Sequence, residues 1–383
     1  MLVAANLRAA AASVGPLLGQ IRDDIGLSST AAGALTTLPV LCFGAVAPLA
    51  PPLARRLGYA AGLAAVLACL TAALLVRLVP GVVPLFAGTL MAGAAIAVGN
   101  VLIPVLVKRD FPEQTGLLTG MYTTALIASA ALAAAVTVPV SKALGGGWRA
   151  GLGVWALPAA LGLLAWAPQL RSHRRDVGSD SHAASPRKVI REPLAWQVTL
   201  FFGAQACGFY AILSWLPTIL QSHGISRGTA GLLLGASMVV GLPVALLLPS
   251  RAVRARDQRG FAVAFSAFIA LGYIGLIAAP ASAPFLWAAL IGIGQQASFP
   301  LALTIVVLRS GSVAQTASLS TLTQSGGYLL AALGPLVVGA VHDLTGSWTP
   351  ALALLLGVVG VQVLAGLAAG RNRRLAAEPY SGH

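Results

Sequence analysis

The sequence predicts an all-α membrane protein whose twelve transmembrane helices form two parallel six-helix repeats. Three observations predict it. The 383 residues are 57% hydrophobic and only 9% charged, with a mean hydropathy of +0.86, whereas a soluble domain charges about a quarter of its residues. Lys and Arg crowd into every second loop. Finally, short stretches in the first half of the chain recur about 200 residues later.

Apolar runs of about 20 residues, enough to cross a bilayer, place helices near 1–18, 30–54, 58–78, 82–107, 114–143, 148–168, 193–221, 228–250, 259–279, 282–308, 313–342 and 347–369. The first helix opens at Met1 with no charged lead and no signal peptide. At 1.5 Å per residue it spans roughly 27 Å, barely a bilayer, so a truncated or misassigned start is expected. Helices 9 and 10 are separated only by the turn at 280–284, and helices 11 and 12 by 345–347. Residues 169–192, rich in Ser, Arg and His, read as a cytoplasmic linker. The division is therefore 1–168 and 193–370 for the two halves, with 371–383 as a cytoplasmic tail.

Loop charges test the count. The even-numbered loops and the tail hold Arg55, Arg56, Lys108, Arg109, Arg171, Arg174, Arg175, Arg187, Lys188, Arg191, Arg251, Arg254, Arg256, Arg259, Arg309, Arg371, Arg373 and Arg374. The odd-numbered loops hold only Arg22, Arg77, Lys142, Arg149 and Arg227. A missed helix would scramble this alternation. The bias puts both termini in the cytoplasm.

The same charges exclude other classes. A net charge of +14 invites a nucleic-acid reading, but such binding needs basic residues clustered on a folded domain, and these lie in short runs between apolar stretches. Cys42, Cys69 and Cys207 all fall in apolar segments, an odd number suited to packing rather than to a disulfide framework. No nucleophile motif, His/Asp/Glu cluster or metal spacing suggests an enzyme, and no filter motif suggests a channel. Neither cofactor nor metal nor obligatory protein partner is expected; the expected partners are a small-molecule substrate and the lipid bilayer.

The repeat has a consistent register. Residues 26–33 (GLSSTAAG) match 224–231 (GISRGTAG); Leu144, Gly146 and Trp148 match Leu344, Gly346 and Trp348; Pro16 matches Pro217. Parallel six-helix repeats about an axis along the membrane normal are the arrangement of major facilitator transporters, with substrate bound where the repeats meet.

Several segments carry a closer resemblance. They are Asn6–Arg8 with 13–18 (SVGPLL), 38–44 (LPVLCFG), 99–104 (GNVLIP) and 108–112 (KRDFP) in the first half. In the second they are 215–217 (WLP), 299–303 (FPLAL), 324–329 (QSGGYL) and 342–346 (HDLTG). Together these resemble the cyanate and 2-nitroimidazole transporter family of the major facilitator superfamily across nearly the whole chain. The resemblance implies a major facilitator fold, a bacterial inner-membrane location and movement of a small anion or a small nitro- or amide-like solute by alternating access. A proton-coupled multidrug or metabolite exporter on the same fold is the alternative. The chain departs from the superfamily at its loop 2–3 signature, Gly-x-x-x-Asp-Arg-x-Gly. With its last Gly on Gly58, Pro51 and Arg55 replace the first Gly and the Asp, and only Arg56 and Gly58 remain. Arg55 and Arg56 are then either part of a gating latch or positive-inside anchors. The Gly-Pro pattern of drug–proton antiporters is missing from helix 5.

An ionisable side chain within the bilayer costs about 2.5–3.5 kcal/mol and is a functional candidate by default. Arg8, about ten residues before the expected end of helix 1, is placed near mid-membrane. Its guanidinium stays charged and offers a planar fork to an oxyanion or nitro group; the competing reading is an Arg snorkelling from a short helix. Asn6 points about 200° away around the helix and suits an interhelical hydrogen bond. Uncharged polar groups gather at similar depth: Tyr122 on helix 5, Gln205 and Tyr210 on helix 7, Gln295 and Gln296 on helix 10, and Thr321, Gln324 and Tyr328 as a stripe on helix 11. Amides and phenols bind small polar solutes without a fixed charge; each also suits interhelical packing. All ten acids fall in loops or at helix ends. Only His342 and Asp343, at the outer mouth of helix 11, are placed to couple a proton, and capping that helix is the competing role. Uniport, exchange or symport of a protonated substrate is therefore expected.

Overall fold

A computed structural model describes residues 2–27, 29–145, 147–172 and 186–376. Most of the predicted linker and the end of the tail lie outside the described residues. Twelve helices among them are long and apolar enough to cross a membrane. They are α1 (Leu2–Ile25), α2 (Thr37–Leu57), α3 (Tyr59–Val76), α4 (Val82–Asp110), α5 (Pro112–Ala143) and α6 (Gly147–Leu170), followed by α7 (Pro193–Ser222), α8 (Gly228–Arg254), α9 (Arg259–Ala278), α10 (Pro284–Arg309), α11 (Val313–Thr345) and α12 (Trp348–Ala369). The chain forms two compact units, one of Met1–Leu106 and Met121–Ser181, the other of Val107–Gly120 and His182–His383.

The helices run further than apolarity alone indicates. The sequence ends helix 1 at residue 18, but α1 continues through the polar stretch to Ile25. Its last turns keep Leu17 and Ile21 buried while Arg22, Asp23 and Asp24 face outward. Gly26, at φ +66°, then caps it by donating its N–H to the Arg22 carbonyl. The first span is thus 24 residues, about 36 Å, and long enough to cross. Helices α4, α8 and α10 end on Lys108 and Arg109, Arg251 and Arg254, and Arg309, cations that favour the negative end of a helix dipole.

Close packing rests on small residues, as expected where lipid removes the hydrophobic drive between helices. In the first unit a Cβ on Gly99 would lie 2.9 Å from Leu7 Cδ1, and one on Gly93 2.8 Å from Cys42 Cβ, so α4 approaches α1 and α2 closely. In the second unit Gly203 of α7 faces Gly327 of α11, where a Cβ would meet the Gly327 Cα at 3.2 Å. Gly334 similarly admits the Cys207 backbone and thiol. Helices α9 and α10 interlock through Gly272, Gly275 and Gly294, against Ile291, the Trp287 ring and Ile269. The segment Val107–Gly120 joins this unit because Gly116 lets the Pro249 and Ser250 backbone approach and Gly120 does the same for Leu246.

Candidate functional site

The second unit gathers most of the predicted polar residues. The α7–α11 crossing at Gly203 and Gly327 brings Tyr328 edge-on to Phe202, with ring centroids 5.2 Å apart, and Tyr328 in turn lies 6.5 Å from Tyr210. Tyr328 is buried and Tyr210 half-buried. One turn before Tyr210 on the same helix, the side-chain amide of the buried Gln205 meets that of Gln295 of α10 at 3.2 Å. Gln324 donates to Ser320 Oγ at 2.9 Å, while Thr321 turns back on its own helix at the Ala317 carbonyl.

Gln295 and Gln296 line a narrow cleft with Phe209, Ser237 and Met238. The cleft exists because Gly241 lets α8 pass over the Gln296 side chain and Gly292 lets α10 meet the Ser237 backbone. Its wall is mostly apolar with a few amides and a hydroxyl, the composition of a site for a small polar solute. Tyr273 of α9 lies behind it, fully buried beside Gln295 and Gly208.

In the first unit Arg8 is half-buried, its Cζ 5.9 Å from the Phe43 ring centroid, and Tyr122 is 2% exposed. Arg8 stands six residues from the start of α1 and seventeen from its end. Asn6 is buried, donates to the Leu2 carbonyl and packs on Gly162 of α6.

The gating candidates are divided. Arg55 and Arg56 are exposed in the last turn before Gly58. The His342 ring stacks on Trp348 at 3.8 Å, Asp343 is exposed beside it with Oδ1 3.6 Å from His342 Nδ1, and Gly346 at φ +64° closes the helix onto the His342 carbonyl. Among the described residues no three His, Cys, Asp or Glu side chains gather to hold a metal.

Sequence reasoning missed Tyr273 and Arg77. Tyr273 is the one phenol in an otherwise apolar helix 9, a signal of the same kind as Tyr122. Arg77 reads as a loop cation, yet its side chain is fully buried. Its signal was its place among the few cations of the odd-numbered loops.

With the geometry in place, a family model described as Major Facilitator Superfamily matches residues 1–335. The chain belongs to that superfamily. It is a twelve-helix membrane transporter, similar to the 2-nitroimidazole transporter of Escherichia coli (strain K12), with 41% identity over 98% of this chain and 95% of the relative. It is also 31% identical to the cyanate transport protein CynX of the same organism, over 95% of this chain and 94% of the relative. The fold matches that of the major facilitator transporter FucP in its outward conformation, at TM-score 0.75 and 14% identity, covering 97% of this chain and 98% of that one. A superfamily transporter of the cyanate and nitroimidazole type is what the sequence resemblance implied.

Proposed function

We propose that this transporter carries a small anion or a small, planar, polar solute such as cyanate or a nitro-heterocycle. The observation that supports it most is the buried Gln205–Gln295 amide pair beside a largely apolar cleft. Amide donors and acceptors recognise nitro, cyanate and azole groups, and an apolar wall suits the uncharged remainder of such a solute. The named substrates of the two relatives, 2-nitroimidazole and cyanate, are of this chemistry. Gln295, Gln296, Gln205, Tyr210, Gln324 and Tyr328 are the proposed contacts from the second unit, and Arg8 and Tyr122 those from the first.

Both termini are proposed to be cytoplasmic, from the loop charges. The described carboxylates lie in loops or helix ends, so coupling is proposed as uniport, exchange or symport of a protonated solute. Counterflow of labelled cyanate and of labelled 2-nitroimidazole in proteoliposomes tests the reading. Gln295→Leu should raise KM by at least tenfold for one of the two while leaving protein insertion unchanged. Wild-type KM for both solutes in Gln295→Leu and Gln205→Leu would overturn it.

A further inference from the structure

We propose that Arg77, held against α1, binds a small monovalent anion inside the first unit. Arg77 follows the last residue of α3 and its side chain is 0% exposed. Gly88 of α4 makes room for the stem: a Cβ there would come 2.8 Å from Arg77 Cγ. The guanidinium reaches α1, where Nη1 donates to the Ala10 carbonyl at 2.9 Å. The remaining donors, Nε and Nη2, are buried without a hydrogen-bond partner. Those two form one edge of the guanidinium fork, the edge that meets two acceptor atoms side by side.

The turn that Arg77 touches is itself unusual. Helix α1 is interrupted at Ser13, between Leu2–Ala12 and Val14–Ile25. Pro16, three residues on, has no N–H to donate, and its ring crowds the preceding turn. The Ser13 backbone stays in the α-region and its N–H donates to the Ala9 carbonyl at 3.0 Å, so the bond that Pro16 cannot make leaves a carbonyl oxygen, an acceptor for a cation, at this turn.

No carboxylate of the described part of this unit neutralises Arg77. The acids there are Asp23 and Asp24, thirteen and fourteen residues beyond Ala10, about 20 Å along the helix. Asp24 already accepts from Trp148 Nε1 and Arg149 Nη1, each at 2.9 Å, and Asp23 is exposed. A guanidinium cannot shed its proton, and an unpaired buried ion is costly in a low-dielectric interior. Water satisfies the two donors but leaves the charge. A monovalent anion with one or two acceptor atoms, such as nitrate, cyanate, thiocyanate or chloride, satisfies both. This inference stands independently of which solute the cleft in the second unit accepts.

The test uses the full-length protein in detergent, with its thermal midpoint followed as potassium gluconate is replaced by nitrate, thiocyanate or chloride at constant ionic strength. The wild type should show a saturable rise with at least one of the three. Arg22→Gln, which removes an exposed cation of the same unit, should show the same curve. Arg77→Gln should lose the rise, and Arg77→Lys, which keeps the charge but not the two-donor edge, should need roughly tenfold more anion. No saturable rise in the wild type, or Arg77→Lys saturating at the wild-type concentration, overturns the proposal; the Lys variant decides should Arg77→Gln fail to fold. Counterflow separates the two sources of the anion. A raised KM in Arg77→Lys identifies it as the transported solute, and an unchanged KM with weakened stabilisation identifies it as a resident ion.

Discussion

Arg309, the last residue of α10, is 2% exposed and closes three oxygens at once. Nε donates to the Ala369 carbonyl at 2.8 Å, Nη2 donates to the Gly370 carbonyl at 3.0 Å, and Nη2 also meets Gln258 Oε1. Two of these are end carbonyls of α12, which have no partner within their own helix. Gln258 extends the clasp by donating from Nε2 to the Ala252 carbonyl at 2.8 Å and from its backbone N–H to Gly370 at 2.9 Å. The Arg309 carbonyl in turn accepts from the Leu375 N–H at 2.9 Å, so one residue ties together the ends of α8, α10 and α12 and the start of the tail. Arg309→Met keeps the stem volume and removes all three donors. A hydrogen bond to a charged group contributes about 1.5–3 kcal/mol; because the three share one side chain they are not additive, and we expect a loss of about 4 kcal/mol. For a unit of roughly 200 residues, with about 2.1 cal/mol/K of unfolding entropy per residue, that is a fall of about 10 °C in thermal midpoint. The assay is fluorescence-detected size exclusion after heating in detergent. Arg309→Lys, with a point charge in place of the fork, should fall by about half as much. A midpoint for Arg309→Met within 2 °C of wild type would refute the reasoning, since it would mean the α12 carbonyls find other donors at little cost.

Three further outcomes follow from the same structure. Gly292→Val should cut the yield of folded protein sharply, because the Ser237 backbone occupies the space its Cβ would need; overpacking of this kind costs about 1–3 kcal/mol or more, and detergent-extracted yield measures it. Asp257 accepts from the Arg259 N–H, Nε and Nη2, and these bonds hold its carboxyl below the ordinary value of 3.8. A depressed carboxylate stabilises above its unfolded value and loses that contribution as pH falls through its folded one. Asp257→Asn should therefore lower the midpoint at neutral pH and converge with wild type in strong acid, with a constant gap across pH as the contrary result. Trp348→Ala should loosen the turn between α11 and α12, since Trp348 stacks on His342 and packs tilted against Trp215; aromatic truncation in a buried site costs about 3–5 kcal/mol, readable as accelerated proteolysis of the 345–347 turn.

What was legible in the sequence and what was not divides along a physical line. Apolar length, loop charge and the repeat register were enough for the twelve spans, because in a bilayer every backbone group must be bonded within its own helix and only composition decides where the helix crosses. Polar stretches that continue a helix beyond the bilayer carry no such mark, so the charged turns of α1 through Ile25 read as a loop. Gln205, Gln295 and Tyr328 could be found because an amide or phenol in an apolar run is rare in itself, although nothing in their spacing foretold that Gly203 and Gly327 would cross and set Tyr328 on Phe202. Arg77 escaped for the opposite reason. A cation at a helix end is common and its stem is long, so sequence position fixes its Cα but not its charge, which a long side chain can carry several ångströms up or down the membrane. Only packing reveals the direction: Gly88 leaves a groove for the stem, Pro16 breaks α1 nearby, and the guanidinium turns inward to the Ala10 carbonyl instead of outward to water. In this fold the long cations, whose heads are free to choose between lipid depth and solvent, are the residues whose roles a sequence leaves open.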